Sequence, residues 1–135
     1  MNAPEPIARD ALFLADTHEV VNVSHELVDY NAYLQDAALR EAVQREGAGW
    51  AEAALTGFGR LTGSADYLEL GVQANRNPPK LDTHDRFGNR VDLVRYHPAY
   101  HRLMRTAIEH GLHSSPWTDP RAGAHVARAA HTYLQ

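Results

Sequence analysis

Residues 75–104 contain a double proline, a glycine-containing turn and a third proline that opens an apolar repeat, and this order restricts the fold strongly. Pro78 and Pro79 keep the residues before them out of the helical conformation, so a helix that reaches this point has to end. Pro98 has the fixed φ that suits the first position of a helix, where its missing N–H is not needed. The block therefore predicts a helix end, a short non-helical segment and a new helix.

A small β-hairpin is predicted within this segment. Residues 81–85 and 90–96 flank the turn 86–89, and Gly88 and Asn89 can both take the positive φ of a tight turn. The fold is otherwise predicted to be mainly α.

Five helices account for most of the chain. Caps are predicted at Asp36, Ser64 and Asp119, the third helix is predicted to run to about Ala74, and the last is predicted to start at Pro120. In the second helix, two glycines each cost about 1 kcal/mol relative to Ala and are expected to allow close packing against another backbone. The two glycines are Gly57 and Gly59. The apolar positions that recur at helical spacing are Ala38, Leu39, Ala42, Val43, Ala54, Leu55, Phe58, Leu61, Tyr100, Leu103, Met104, Ala107, Ile108, Val126, Ala129, Ala130, Tyr133 and Leu134.

The chain is predicted to divide into an extended N-terminal arm, residues 1–34, and one helical domain, residues 35–135. Apolar side chains of the arm would be buried against another surface, such as a neighbouring subunit, or would belong to a disordered leader, and both interpretations stay open. The last helix lacks a glycine, a proline or a basic last turn at its end, which predicts a domain truncated within that helix. The apolar arm residues are Leu12, Phe13, Leu14, Val20, Val21 and Val23.

Composition excludes several classes of function. The 135 residues include 17 Asp plus Glu against 13 Lys plus Arg, which argues against a nucleic-acid surface made by net charge. With no cysteine there is no disulfide, no thiolate zinc site and no cysteine nucleophile, and a cytoplasmic location is expected. No apolar run approaches the ~20 residues of a bilayer span.

Nine histidines raise the question of a metal site. His97 and His101 are four apart, but His97 precedes Pro98 and the Glu of a His-Glu-x-x-His helix is missing. We therefore expect His97 to cap or hydrogen-bond and His101 to be a boundary residue on the amphipathic helix that starts at Pro98. The remaining pairs are interpreted as surface or loop residues: His110 with His113, and His125 with His131.

No motif for catalysis or cofactor binding is found. The glycines of residues 57–63 resemble a dinucleotide fingerprint, but the third comes one residue late and lies inside a helical repeat. Gly-x-Ser-x-Gly is absent. No catalytic, cofactor-binding or metal-ligating residue is predicted.

Arg95, Tyr96 and His97 form the one local cluster of a guanidinium, a phenol ring and an imidazole, and they are candidate pocket residues. The alternative for Arg95 is a structural salt bridge to a carboxylate of the hairpin or a helix. A wider aromatic set is expected to pack as core rather than to line a ligand pocket: Tyr96, Tyr100, Trp117 and Tyr133.

The block from Asn75 to Met104 resembles the N-terminal region of the AidB-type, adaptive-response acyl-CoA dehydrogenase family of flavoproteins. Residues 39–50, 64–74 and 123–130 look like the same family, so the resemblance covers roughly residues 20–135. It implies a mainly α fold, an N-terminal helical bundle with one small hairpin. In that family a central β-domain and a C-terminal four-helix domain follow.

The resemblance also implies FAD held between the later domains and a neighbouring subunit, a tetramer, an alkylation-damage response and DNA binding through the C-terminal domain. None of these functions can be assigned to a residue of this chain. We expect an N-terminal fragment that binds no FAD and has no activity alone, whose partners are the missing dehydrogenase domains or full-length relatives. The alternative is a stand-alone helical interaction module that docks on a flavoprotein partner.

Overall fold

The computed structural model describes residues 22–135. Its elements are α1 (Ala37–Arg45), a 3-10 turn (Gly49–Ala51), α2 (Glu52–Thr62), α3 (Ala65–Arg76), β1 (Lys80–His84), β2 (Arg90–Arg95), α4 (Pro98–Glu109), α5 (Ser115–Thr118) and α6 (Ala124–Leu134). The mainly α fold with one two-stranded antiparallel sheet is as predicted. Of the apolar arm residues, all but Val23 lie outside the described residues.

Two predicted caps start their helices. The Asp36 carboxylate accepts a hydrogen bond from the Leu39 backbone N–H at 2.8 Å, and the Ser64 hydroxyl accepts one from Tyr67 N–H at 3.3 Å. Each satisfies a donor that the first helical turn leaves without an intrahelical acceptor. The third helix extends beyond Ala74 to Arg76, just before the double proline.

The core lies between α1, α2 and α6. Its largest fully buried side chains are Tyr33, Phe58, Leu55 and Val43. Tyr33 precedes α1 and donates its hydroxyl hydrogen to the Glu52 carboxylate at 2.8 Å. Burial, followed by the bond to Glu52, raises the pKa of Tyr33 to about 12. The other buried members of the core are Ala48, Ala51, Leu112, Ala127, Ala130 and Leu134.

Only one of the two glycines in α2 is required by close packing. A Cβ on Gly59 would lie 2.6 Å from the Tyr33 backbone nitrogen, whereas a Cβ on Gly57 would meet nothing within 4 Å. Ala32 N–H also donates to the Gly59 carbonyl at 2.9 Å. The expectation of a close backbone contact is confirmed for Gly59 and wrong for Gly57, which faces open space.

α3, α4 and the hairpin form a second layer, here called the outer lobe (residues 65–109). α3 packs on α4, with Tyr67 and Ala99 buried in the lobe. Most of its large apolar side chains are 37–59% exposed: Leu68, Val72, Leu81, Val91, Leu93, Val94, Tyr96, Met104 and Ile108. The apolar repeat of α4 therefore forms the predicted helix but is only partly covered.

The hairpin forms with β1 antiparallel to β2, in the register Lys80 opposite Arg95 and Leu81 opposite Val94. The Asp85 carboxylate accepts from Phe87 N–H at 2.8 Å and Asn89 N–H at 2.9 Å, which closes the turn. Gly88 has φ of +88°, as expected, but Asn89 is not among the positive-φ residues. The hydrogen bonds to the Asp85 carboxylate, and not a positive φ at Asn89, complete the turn.

The predicted start of the last helix is wrong. α6 begins at Ala124 after Gly123, which has φ of +81°, and not at Pro120. The Asp119 carboxylate accepts from the Arg121 backbone and side chain instead of capping a helix. A Cβ on Gly123 would lie 2.6 Å from the Gly47 carbonyl oxygen, so a tertiary contact selects this glycine. The segment around Pro116 forms the short helix α5.

Within residues 22–135, none of the helices combines the length and apolarity needed to cross a membrane.

Candidate functional site

Arg95, Tyr96 and His97 join β2 to α4 and line one shallow depression of ≈ 300 Å³. The double-proline exit from α3 brings the opposite wall to the same place. The structure therefore gathers the three candidate residues around a common opening. Its remaining walls are Asn77, Pro78, Lys80 and Pro98.

The Arg95 guanidinium is bound to the Asp82 carboxylate across the hairpin. Nε lies 2.5 Å from Oδ2, and a second nitrogen donates to Oδ1 at 3.0 Å. Such a two-point contact fixes the planar guanidinium. The alternative interpretation of Arg95, a structural salt bridge to a hairpin carboxylate, is confirmed.

His97 caps α4. Its Nδ1 accepts from the Ala99 backbone N–H at 3.2 Å, which leaves the hydrogen of the neutral ring on Nε2. Tyr96 stacks on Tyr100 with centroids 4.3 Å apart and an interplanar angle of 17°, and His101 stands edge-on to both rings. The expected capping role of His97 is confirmed, and the cluster supports the hairpin-to-helix junction.

A second depression of ≈ 370 Å³, here called the α6 cleft, lies between α2, the α4–α5 connection and α6. His110 and His131 line it, and both rings lie against Phe58, with centroids 4.6 Å and 5.2 Å away. Burial lowers the pKa of the half-buried His131. The other lining residues are Trp50, Ala51, Ala54, Glu109, Gly111, Ser115, Asp119, Ala124, Ala127 and Arg128.

The expectation that His131 is a surface residue is wrong. It follows Ala127 by four positions and precedes Leu134 by three, and both of those residues are in the core. The 3.6-residue period thus places His131 on the core side of α6. Counting histidine as polar concealed this signal in the sequence.

Trp50 lines the α6 cleft and is held by two contacts. Its Nε1–H donates to the Ala122 carbonyl at 2.8 Å, and the Arg121 guanidinium lies 3.5 Å from the ring centroid. Asp119 also binds that guanidinium, and the hydrogen bonds from Arg121 lower the pKa of Asp119 to about 2. These contacts tie the segment before α6 to the start of α2.

The aromatic set does not pack as core. Trp117 is 75% exposed and Tyr133 is 70% exposed, whereas Tyr96 and Tyr100 stack at the hairpin junction. α5 is a single turn at the edge of the molecule, and Tyr133 lies on the outer face of α6. In the part of the chain that the structure describes, no group of three or more His, Cys, Asp or Glu could hold a metal ion.

Residues 22–135 match the family model of the adaptive response protein AidB N-terminal domain. The chain belongs to this family. It is 49% identical over 119 residues to the putative acyl-CoA dehydrogenase AidB of Escherichia coli strain K12. That match covers 87% of the chain and 22% of the relative.

Two solved structures share the fold of this AidB N-terminal domain. The apo-form of Bd2924 superposes with a TM-score of 0.72 at 22% identity, covering 83% of this chain and 23% of the other. Caenorhabditis elegans ACDH-11 in complex with C11-CoA gives a TM-score of 0.72 at 23% identity, covering 94% and 22%. The chain thus spans less than a quarter of the length of these relatives.

Proposed function

We propose that this chain serves as the N-terminal helical domain of an AidB-like, FAD-dependent acyl-CoA dehydrogenase associated with the alkylation-damage response, and that it lacks dehydrogenase activity alone. The observation that carries the proposal is the match over residues 22–135 to an AidB N-terminal domain, together with 22% coverage of the E. coli relative. The remaining length of such a relative is available for cofactor and substrate.

The described residues fit FAD poorly. A flavin dinucleotide needs donors for its pyrophosphate, and the two arginines that line the depressions are already bound within the chain, Arg95 by the Asp82 carboxylate and Arg128 by the Leu112 carbonyl oxygen at 2.9 Å. The ≈ 300 Å³ depression is also shallow. We therefore assign this domain a supporting role, with Arg95, Tyr96 and His97 holding the hairpin on α4.

The outer lobe supports a role in assembly. A two-stranded sheet is marginal in water, and here its apolar side chains are about half exposed, with Leu81 at 59% and Leu93 at 54%. Scattered exposed apolar residues are ordinary, but a lobe of them favours an interface. We propose that residues 35–135 form the domain, that residues 1–34 form an arm whose Tyr33 packs into the domain core, and that the partners are dehydrogenase domains, full-length relatives or further copies in a cytoplasmic homo-oligomer.

The test is to purify the chain, add FAD and measure bound flavin by absorbance and acyl-CoA-dependent dye reduction. We expect neither stoichiometric flavin nor dye reduction, while an active acyl-CoA dehydrogenase in the same assay reduces the dye. Stoichiometric FAD together with dye reduction would overturn the proposal.

The exposed lobe also favours a second candidate, a stand-alone module that docks on a flavoprotein. Two measurements test this candidate: sedimentation of the chain, which reports self-association, and binding of an apolar fluorescent dye. A self-associating or dye-binding species is expected, with weaker dye binding for Leu93→Ser than for the matched exposed change Thr83→Ser. A monomer that binds no dye would count against docking.

A further inference from the structure

His110 and His131 approach the same core side chain from two different helices. Phe58 is 1% exposed, and both imidazoles are tilted by about 50° against its ring, at 51° and 53°. His110 follows α4, whereas His131 lies within α6. Phe58 of α2 therefore contacts one imidazole just after the end of α4 and another within α6.

The hydrogen bonds of the two rings determine where a proton can be added. Nδ1 of His110 lies 2.9 Å from the Thr106 carbonyl oxygen, and Nδ1 of His131 lies 2.8 Å from the Ala127 carbonyl oxygen. Carbonyl oxygens only accept, so each Nδ1 carries the hydrogen and Nε2 is the basic nitrogen. Protonation therefore adds charge at Nε2 without adding a hydrogen bond at Nδ1.

We propose that the His110–Phe58–His131 cluster is an acid-sensitive contact that holds α6 on α2. Protonation of His131 at Nε2 weakens this contact, and α6 then separates from α2 more easily. α6 supplies Ala127, Ala130 and Leu134 to the core, so the strength of this contact affects the whole inner layer. A charged imidazole has to be solvated, and the packing of part of the ring against Phe58 opposes this, so protonation weakens the contact between α6 and α2.

The groups that face His131 come from each element around the α6 cleft. Glu109 and His110 face it from the end of α4, Asp119 from the α5 side, and Arg128 from α6 itself, while α2 presents Ala54 and Phe58, which do not titrate. A charged His110 opposes the proton on His131, the hydrogen bond to the Ala127 carbonyl favours it, and Asp119 is bound to Arg121.

The sign of the effect follows from burial. Burial lowers the pKa of His131 relative to the unfolded chain, so the neutral ring belongs to the folded state. The corresponding stability is present above the ordinary histidine value of about 6.5 and is lost as the pH falls through that value toward the lower pKa of the folded chain.

The test measures urea unfolding of the 135-residue chain by circular dichroism between about pH 8 and about pH 5, the interval in which histidine titrates. His131→Asn keeps an amide donor near the Nδ1 position, and His113→Asn changes an exposed histidine of the same chain. We expect the unfolding midpoint of the wild type and of His113→Asn to fall on acidification, and that of His131→Asn to fall less.

A second measurement does not depend on any variant. In the NMR titration of the wild-type chain, the His131 ring is expected to titrate below the ordinary histidine value of about 6.5, together with shifts of Phe58 ring signals. Equal loss of stability in wild type and His131→Asn, or a His131 midpoint at or above that value, would overturn the proposal. Neither measurement depends on flavin or dehydrogenase activity.

Discussion

Single residues at backbone contacts set the geometry of the inner layer. Gly59 lets the segment before α1 lie directly on α2, with Asn31 bridging the two: its side-chain amide donates to the Thr56 carbonyl, and its side-chain oxygen accepts from Tyr33 N–H. This seats the Tyr33 ring in the core. The absence of a Cβ at Gly59 therefore allows the Tyr33 backbone to lie on α2 and the Tyr33 ring to be buried.

Gly59→Ala and Gly57→Ala form a matched pair on one helix. We expect Gly59→Ala to destabilise the chain, because its Cβ would collide with the Tyr33 backbone, and Gly57→Ala to stabilise it by up to about 1 kcal/mol through helix propensity. Urea unfolding of both variants measures the difference. A neutral or stabilising Gly59→Ala would show that the Tyr33 segment does not hold this position.

At the scale of elements, local caps determine where some helices start, and a tertiary contact determines where α6 starts. The caps at Asp36 and Ser64 are local in sequence, and α1 and α3 begin where those residues predict. α4 also begins where its proline predicts, with His97 as an unusual cap. The start of α6 depends instead on the contact between Gly123 and Gly47, which are far apart in the chain.

The cap at α4 can be tested by substitution. His97→Ala removes the acceptor for Ala99 N–H and is expected to lower the free energy of unfolding by about 1 kcal/mol, whereas His97→Asp supplies a carboxylate acceptor and is expected to retain or increase it. Urea unfolding at neutral pH measures both. Equal loss in the two variants would mean that the imidazole acts through packing at the Tyr96 junction.

At the scale of the whole molecule, stability and interaction surface lie in different layers. The inner layer contains the largest fully buried side chains, and the outer lobe leaves most of its large apolar side chains partly exposed. An AidB N-terminal domain built in this way holds its own core and leaves an apolar lobe exposed, and the assembly with dehydrogenase domains that we propose would use this lobe.

The same substitution in each layer tests this division. Leu55→Ala in α2 removes a fully buried side chain and is expected to cost about 2–5 kcal/mol, whereas Leu93→Ala in β2, where the side chain is 54% exposed, is expected to cost less than about 1 kcal/mol. Urea midpoints compare the two. Similar costs would place a shared core across both layers.

Local chemistry made much of this fold predictable. The caps at Asp36 and Ser64, the proline before α4, the hairpin and the Arg95 salt bridge depend on neighbours in the chain or on one short turn, so residue order was sufficient. His97 was predicted as a cap for the same reason. The candidate residues 95–97 were found together because they are consecutive.

The α6 cleft, the start of α6 and the exposure of the aromatic residues depended on the tertiary structure. Each arises between segments far apart in sequence: Gly123 meets Gly47, Trp50 binds the Ala122 carbonyl, and His131 meets Phe58. A periodic pattern marks one face of a helix as apolar but does not say which surface covers it. By itself, the sequence therefore determined the family, the helices and the hairpin, and only the packing decided which apolar faces became core.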